Sequence, residues 1–430
     1  MIGWKTEKLG VIADMCLGKM LDKEKNKGVP HPYLGNINVR WGGFDFENLN
    51  QMRFESSEHD RYGLQAGDLV ICEGGEPGRC ALWKGQVAEM KIQKALHRVR
   101  VKNTHDAEFV FYRFLLAGKT GELEKHYIGS TIKHLTGLGL KEVEFAYPPK
   151  PVQKKIASVL SALDAKIELN NQINAELEAM AKLLYDYWFV QFDFPMTAAQ
   201  AASLGRPALV GKPYKSSGGK MVHNKDLNQE IPKAWTVDVL QNLSSLIRRG
   251  VSPKYVEQGG ISVLNQKCIR DQSIQFTEAR RHGIELEESH DRLLQHLDVV
   301  VNSTGVGTLG RVAFVKRLNE SKTTVDSHVT IVRANQKLVS PAYFVWSMLR
   351  LQPVIESAAV GSTGQVELSK TYLEQLNLVV PDGDTQSQFT EFATPVIQAI
   401  ACREKQNQEL TQLRDWLLPM LMNGQVTVGT

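Results

Sequence analysis

The 430-residue chain lacks any long hydrophobic run. No stretch approaches the roughly 18 consecutive apolar residues that a membrane-spanning helix needs. Its first residues, MIGWKTEKLGVIADM, also lack the charged and then apolar order of a secretory signal peptide. We therefore expect a soluble, cytoplasmic protein.

Cysteine is scarce, and its spacing carries no pattern. The five residues form an odd set without a CxxC pair, which argues against a disulfide framework and against a zinc site. The eleven histidines are scattered without ligand spacing, so no bound metal is predicted. We expect reduced, structural thiols at Cys16, Cys72, Cys80, Cys268 and Cys402.

Catalytic motifs are also missing. The nearest match to a phosphate loop, AGKT at 117–120, has Arg113 where the first glycine belongs. The double proline is preceded by Tyr147, whereas an amino-group methyltransferase would have asparagine there. A metal-dependent nuclease built on Asp68, Glu89 and Lys91 stays open as an unfavoured alternative. The sequence therefore predicts a chain that is not itself an enzyme.

Charge gives a weak signal for a polyanionic partner. The formal net charge is only +4, but residues 84–150 carry twelve Lys or Arg against seven Asp or Glu. Such a local bias fits a DNA-binding face and a solvated surface equally well.

What the chain does contain is a copy of itself. The string GDLVICEGGEPGRCA at 67–81 resembles LDVVVNSTGVGTLGRVA at 297–313, and GSTIKHLTGLGLKEVEFAYP at 129–148 resembles GSTGQVELSKTYLEQLNLVVP at 361–381. The spacing of about 232 residues is far longer than the repeats of solenoid proteins. It predicts two copies of a whole β-rich domain, each followed by a helix.

In each predicted helix the seam residues are spaced alternately by four and three positions, which is the heptad pattern of a coiled coil. The apolar seam is interrupted by asparagine, which in coiled coils fixes the register. Such helices need a partner, and we expect the two copies to pair antiparallel, around a pseudo-twofold axis. The first seam is Ile156, Leu160, Leu163, Ile167, Asn170, Asn174, Leu177, Ala181, Leu184 and Trp188, and the second follows at a spacing of 233.

These features resemble a known family. The helix string PKPVQKKIASVLSALDAKIELNNQINAELEAMAKLLYDYWFVQFDFP and the later strings GKPYKSSGGKMVHN and EIPKAW are similar, in this order, to the specificity subunit of Type I restriction-modification enzymes. The resemblance covers essentially the whole chain. It implies an α+β fold with two β-rich target recognition domains joined by two long antiparallel coiled-coil helices.

The resemblance also implies a function. Each recognition domain would read one half of a bipartite double-stranded DNA target, while the helices set the gap and dock methyltransferase subunits. Two methyltransferase subunits would use S-adenosylmethionine, two motor-nuclease subunits would cleave DNA, and this chain would bind no cofactor. An autonomous, coiled-coil DNA-binding regulatory protein is the other alternative.

The expected domain bounds follow from the repeat. They are recognition domain 1 at 1–149, spacer helix 1 at 150–194, a linker at 195–230, recognition domain 2 at 231–382 and spacer helix 2 at 383–425.

Long polar side chains in the loops of the β-rich copies are the candidates for DNA contact, because Arg, Lys, Asn and Gln read base edges and hydroxyls hold phosphates. Copy one offers Asn36, Asn38, Arg40, Arg79, Lys91, Gln93, Lys94, Ser130, Thr131, Lys133 and His134. Copy two offers Asn265, Gln266, Lys267, Arg270, Arg311, Ser327, His328, Ser362, Thr363, Gln365 and Lys370. The glycines beside Arg79 and Arg311 are interpreted as turns.

Overall fold

The computed structural model describes residues 3–283, 286–358 and 367–429. It divides into two compact units, unit 1 with Met1–Leu169 and Gln406–Thr430, and unit 2 with Asn170–Lys405. Each long helix therefore contributes one part to each unit. Within the described part of the chain, no helix has the length and apolar character to cross a membrane.

Unit 1 is built on two sheets. The larger one is antiparallel, and its central strand Asp68–Cys72 is buried throughout, as its run of apolar residues demands. Its strands, in spatial order, are Ala13–Leu17, Leu96–Val101, Asp68–Cys72 and Cys80–Leu82. The smaller sheet has Asn50–Phe54, Val29–Leu34 and Lys91–Ile92. Two-stranded pairs join Lys5–Lys8 to Glu144–Tyr147 and Val39–Arg40 to Gly43–Phe44.

Unit 2 repeats this strand order and adds one strand, Tyr255–Val256, at the edge of its second sheet. Its larger sheet has Ser244–Arg249, Val329–Ala334, Val299–Asn302 and Val312–Phe314. The second sheet has Tyr255–Val256, Arg280–His282, Ile261–Leu264 and Thr323–Val325. Pairs again join Thr236–Val239 to Asn377–Val380 and Ile269–Arg270 to Ser273–Ile274. The predicted duplication is thus present in the topology.

Short helices cover the sheets at matching places. Unit 1 has Leu9–Ile12, His59–Tyr62, Ala107–Lys119 and Gly137–Lys141, with 3-10 turns at Asn36–Asn38, Ser56–Glu58 and Glu122–His126. Unit 2 has Leu240–Leu243, Pro341–Arg350, Gln352–Ser357 and Lys370–Glu374, with 3-10 turns at Gln266–Cys268 and Phe276–Glu278.

An ion pair crosses the central strands of each larger sheet. Asp68 receives both guanidinium hydrogen bonds of Arg100 at 2.7 Å, and Asp298 receives both from Arg333 at 2.7 Å. Both carboxylates are buried, and bidentate pairing of this kind is the strong form of the interaction. Asp68 is therefore a structural residue, which removes the centre of the nuclease alternative.

The long helices run from Lys150 to Tyr185 and from Gly383 to Met422. Every predicted seam residue is buried or half-buried, so the heptad reading of the sequence is confirmed. Within unit 2 the helices pair antiparallel, because Lys316 bonds to both Glu178 and Glu404 while Trp188 packs on Phe389 at 6.0 Å.

The first helix is shorter than the predicted 150–194. It passes into a π-helical turn at Asp186–Val190 and ends there, because Phe192 adopts a positive φ of 63° that an α-helix does not accommodate. Phe192 and Phe194 then turn into a buried aromatic cluster instead of continuing the helix.

The predicted linker at 195–230 is folded. It forms the helix Ala198–Ser203, a 3-10 turn at Pro207–Leu209 and the hairpin strand Met221–Asn224, which pairs with Gln229–Pro232. Phe194 stacks between Tyr214 at 4.6 Å and Trp235 at 4.8 Å. Composition suggested a linker because Gly, Pro, Ser and Lys are abundant, but these few aromatic residues fasten the segment to unit 2.

A buried glutamine fixes the start of each long helix. Gln153 donates to the Pro148 carbonyl at 2.8 Å and accepts from the Asp106 amide at 2.9 Å. Gln386 makes the same two bonds, to Pro381 at 2.9 Å and from Ser340 at 2.7 Å. Each glutamine thus joins its long helix to the preceding strand and to the helix that covers the sheet.

Candidate nucleic-acid interface

Two segments of unit 1 that carry predicted DNA contacts, those of Asn36 and His134, meet at the glycine-rich loop at 73–79, which carries Arg79. Asn36 donates from Nδ2 to the Gly74 carbonyl at 3.0 Å, and Arg79 donates to the Asn36 carbonyl at 2.9 Å. The Leu135 amide donates to the Glu73 carbonyl at 2.8 Å, which brings the loop carrying His134 to the same place. Segments separated by up to 100 residues in sequence therefore form one surface.

Glycine is required where these segments touch. A Cβ on Gly74 would lie 3.0 Å from Nδ1 of His134, and one on Gly75 would lie 2.7 Å from Nδ2 of Asn36. Gly75 also has a φ of 75°, which favours glycine. The glycine-rich loop is the turn that the sequence predicted, and it also lets the other two segments approach closely.

Unit 2 brings the segments of Gln266 and His328 to its own glycine-rich loop at 303–311. Asn302 donates to the Gln266 carbonyl at 3.0 Å, and Thr304 Oγ1 lies 2.8 Å from Nδ1 of His328. A Cβ on Gly305 would lie 2.4 Å from Oε1 of Gln266. Here Gln266 and Gly305 occupy the places that Asn36 and Gly75 hold in unit 1.

Nine of the predicted residues are exposed. In unit 1 these are Arg40, Lys94, Ser130, Thr131 and Lys133, and in unit 2 they are Lys267, Arg270, His328 and Lys370. Several form surface ion pairs, such as Arg40 with Asp45 at 2.8 Å and Lys370 with Glu374 at 3.1 Å. Such pairs contribute little stability, so these cations are available for exchange onto phosphate.

Seven further predicted residues are half-buried: Asn36, Arg79, Gln93, His134, Gln266, Arg311 and Ser327. Asn36 Oδ1 and Gln266 Oε1 are buried acceptors without a hydrogen-bond partner. An unmatched buried acceptor is costly, which gives these two amides a free energy reason to take a donor from outside.

Three predicted contacts are corrected, because their side chains lie inside the fold. Asn38 accepts from the Gly35 amide at 2.9 Å and Asn265 accepts from the Lys267 amide at 2.8 Å, so both serve as turn caps. Lys91 is 4 % exposed, with Nζ 3.5 Å from Nδ1 of His59, and burial lowers its pKa. The predicted contacts at Ser362, Thr363 and Gln365 fall outside the described residues.

Sequence reasoning missed residues of the glycine-rich loops themselves. Glu76 accepts from Trp41 Nε1 at 2.5 Å and from Arg79 at 3.0 Å, which orients both side chains. Thr304 holds His328 in the same way in unit 2. The signal was available, since both residues lie within the strings that revealed the repeat, but those strings were interpreted only as turns.

Buried thiols lie beneath this surface. Burial raises the pKa of Cys72 to about 11 although Arg79 is close, and burial also raises the pKa of Cys268 to about 11. Both thiols therefore stay protonated at neutral pH and act as small apolar residues. All five cysteines are free.

Comparison with known proteins agrees with this arrangement. Residues 1–179 match the family described as Type I restriction modification DNA specificity domain. The chain is 26 % identical over 329 residues to the MjaIX specificity subunit of Methanocaldococcus jannaschii, covering 75 % of this chain and 69 % of that one. The chain is thus similar to the specificity subunits of Type I restriction-modification enzymes.

A second relative is the HindI specificity subunit of Haemophilus influenzae, 23 % identical over 355 residues, which covers 74 % of this chain and 77 % of the relative. The crystal structure of the Type I S subunit from M. genitalium has the same fold, with a TM-score of 0.59 and 16 % identity over 98 % of this chain and 96 % of that one. Specificity subunits recognise DNA and are non-catalytic, acting with modification and restriction subunits. This similarity favours DNA recognition over an autonomous regulator or a nuclease.

Proposed function

We propose that each unit of this specificity subunit reads one half of a bipartite double-stranded DNA target. One observation carries the proposal: the two units share their strand order and their buried aspartate–arginine pair, yet present different side chains around the glycine-rich loop. Two domains with the same strand order and different contact residues are what recognition of two unlike half-sites requires.

The amides at equivalent positions are the strongest candidates for base contact. Asn36 and Gln266 each hold an acceptor without a partner, and Asn and Gln pair with the acceptor and donor edge of adenine. The exposed lysines, serine and threonine around them suit phosphate, which fixes position without reading sequence.

The long helices are proposed to set the gap and to dock two methyltransferase subunits. Exposed apolar pairs recur on them at a spacing of 233 residues. Met180 and Leu183 are 55 % and 69 % exposed in unit 2, and Leu413 and Trp416 are 43 % and 56 % exposed in unit 1. Apolar groups exposed together mark interaction sites, and their duplication supports two equal docking sites.

The remaining assignments follow from this role. S-adenosylmethionine is bound by the methyltransferase subunits and not by this chain, two motor-nuclease subunits complete the complex, and the complex works in the cytoplasm. Serine substitution of Leu413 and Trp416 is expected to reduce copurification of methyltransferase, whereas serine at Leu138, which is 79 % exposed on the short helix Gly137–Lys141 outside the long helices, should not.

Methylation mapping tests the reading function. The subunit is expressed with its partners, and modified sites are compared for the parent, Asn36→Ala and Gln266→Ala. Each substitution should weaken sequence discrimination at one base pair by about 1–3 kcal/mol, and the two variants should affect different half-sites. Lys125→Ala, an exposed control that is not among the predicted DNA contacts, should leave both halves unchanged. Relaxation of the same half by both variants, or of neither, would contradict the proposal.

A further inference from the structure

A cleft of about 450 Å³ opens in unit 1 where the first long helix begins. Its walls come from the strand Lys5–Lys8, the segment at 102–105 and the residues from Tyr147 to Gln153. The cleft is separate from the glycine-rich loop, since no residue of that loop lines it. The proposed DNA contacts around that loop therefore do not use the cleft.

The cleft is positively charged. Lys5, Lys102 and Lys150 line it, and Glu7 is the one carboxylate among its described lining residues. Two of these ammonium groups are held by carbonyls, with Lys102 donating to Val11 at 3.0 Å and Lys150 donating to Asn103. Three lysines against one carboxylate leave the cleft with a net positive charge.

A buried donor also lines the cleft. Tyr147 is 2 % exposed, and its hydroxyl has no hydrogen-bond partner. The ring is held in place by His105, whose ring centroid lies 4.8 Å away, and by Phe109 at 6.2 Å. A hydroxyl that is fixed, buried and unmatched is costly unless something outside the chain accepts its hydrogen bond.

The corresponding place in unit 2 shows what unit 1 lacks. There Asp382 puts a carboxylate at the start of the second long helix, where it accepts from the Thr385 amide at 2.9 Å and from Trp235 Nε1 at 2.9 Å. In unit 1 the same position is Pro149, and Val380 is replaced by Tyr147. The first turn of the 36-residue helix in unit 1 therefore has no acidic side chain of its own, while its Val152 and Gln153 amides donate to the Pro149 carbonyl.

We propose that this cleft binds the phosphate group of a small ligand, of about nucleotide size. Three lysines, the Tyr147 hydroxyl and the helix N-terminus surround the place for the anion, and lysine holds phosphate as a point charge. The volume exceeds that of a phosphate, so the ligand carries a further group against the apolar wall of Pro148 and Pro149.

Thermal unfolding and calorimetric titration of the full chain test the site, with inorganic pyrophosphate and a nucleoside diphosphate as probes at constant ionic strength. Both should bind and raise the unfolding midpoint. Tyr147→Phe, which keeps the packed ring, should weaken binding about 10-fold, as loss of a hydrogen bond to a charged group does. Lys5→Ala with Lys150→Ala should abolish binding, and the exposed control Lys125→Ala should not change it.

Duplex DNA serves as the other phosphate source. If the cleft takes a small ligand, the lysine variants keep the DNA affinity of the parent. The proposal is overturned if neither probe binds the parent chain, if binding is unchanged in both Tyr147→Phe and the double lysine variant, or if those variants lose DNA binding and nothing else. Failure here would leave the half-site proposal intact, because the two sites share no residue.

Discussion

The two units have the same strand order but hold the long helices by different contacts. In unit 2 the contact is aromatic and centres on Phe389, which is fully buried, with Lys316 adding a buried cation. In unit 1 it is aliphatic, through residues such as Ile156 and Leu418, with a polar link in which Tyr112 donates to Asp164 at 2.6 Å and Arg414 donates to the same carboxylate at 2.8 Å. A duplicated domain can thus keep its frame while the contacts to its helices diverge.

This contrast separates two kinds of residue. Those that build the frame, such as Asp68 and Asp298, should behave alike in both units. Those that attach the helices should behave differently, and the predictions below test each class in turn.

The largest effect is expected at Phe389. Phe389→Ala removes a ring that lies 5.0 Å from Phe189 and 6.0 Å from Tyr185, and it should cost unit 2 about 3–5 kcal/mol. Hydrogen exchange of unit 2 amides measures the loss. Ile156→Ala at the equivalent position of unit 1 should cost less, and an equal loss would argue against the aromatic attachment of unit 2.

The frame is tested by the buried aspartates. Asp68→Ala and Asp298→Ala each leave an arginine without its partner, and each should destabilise its own unit by about 2–3 kcal/mol. The arginine side chains are 30 % and 17 % exposed, so the loss should be slightly smaller in unit 1. Local hydrogen exchange reports both. If one unit tolerated the change, the frames would not be equivalent.

A smaller effect is expected from the two lysines that reach the helices. Lys316, with 6 % of its side chain exposed, bonds to Glu178 at 2.6 Å, whereas Lys84 is half exposed and lies 3.7 Å from Glu168. Lys316→Met should cost about 1 kcal/mol, and Lys84→Met should have almost no effect. The thermal unfolding midpoints of the two variants measure this difference. A larger decrease for Lys84→Met than for Lys316→Met would contradict the prediction.

The smallest effect is the loss of stability at acidic pH. Burial lowers the pKa of His31, His97, His105 and His126 in unit 1 and of His296 in unit 2. A lowered folded pKa means that the unfolded chain takes up protons first, so the stabilisation is complete above about pH 6.5 and falls as the pH drops below it. Hydrogen exchange between pH 7 and pH 5 should open unit 1 before unit 2.

The sequence predicted the helices well because their signal is local. Seam residues recur every three or four positions, so Ile156 and Leu160 could be assigned without any knowledge of the fold. The repeat then predicted the duplicated domain, because the strings at 67–81 and 297–313 resemble each other. The same reasoning failed for the segment around Tyr214, where a single aromatic residue outweighs the surrounding composition.

The candidate site was only partly predictable, because residue type does not reveal whether a polar side chain is already satisfied. Asn36 and Asn38 are two positions apart, yet the first has an unpaired acceptor and the second caps a turn. Arg100 escaped notice because its partner Asp68 is 32 residues away, although the matching pair in unit 2 repeats it. Pairwise comparison of the two copies would have found it.

The glutamine at the start of each long helix has a consequence for how this protein can change. By bonding to Pro148 and Asp106, Gln153 fixes the angle of the helix about its own axis relative to the sheets of unit 1. Each residue of an α-helix advances that angle by about 100°, whereas seven residues return it to within about 20°. Insertions and deletions along these helices are therefore tolerated only in steps of nearly whole turns, so the length of the gap should vary in discrete jumps.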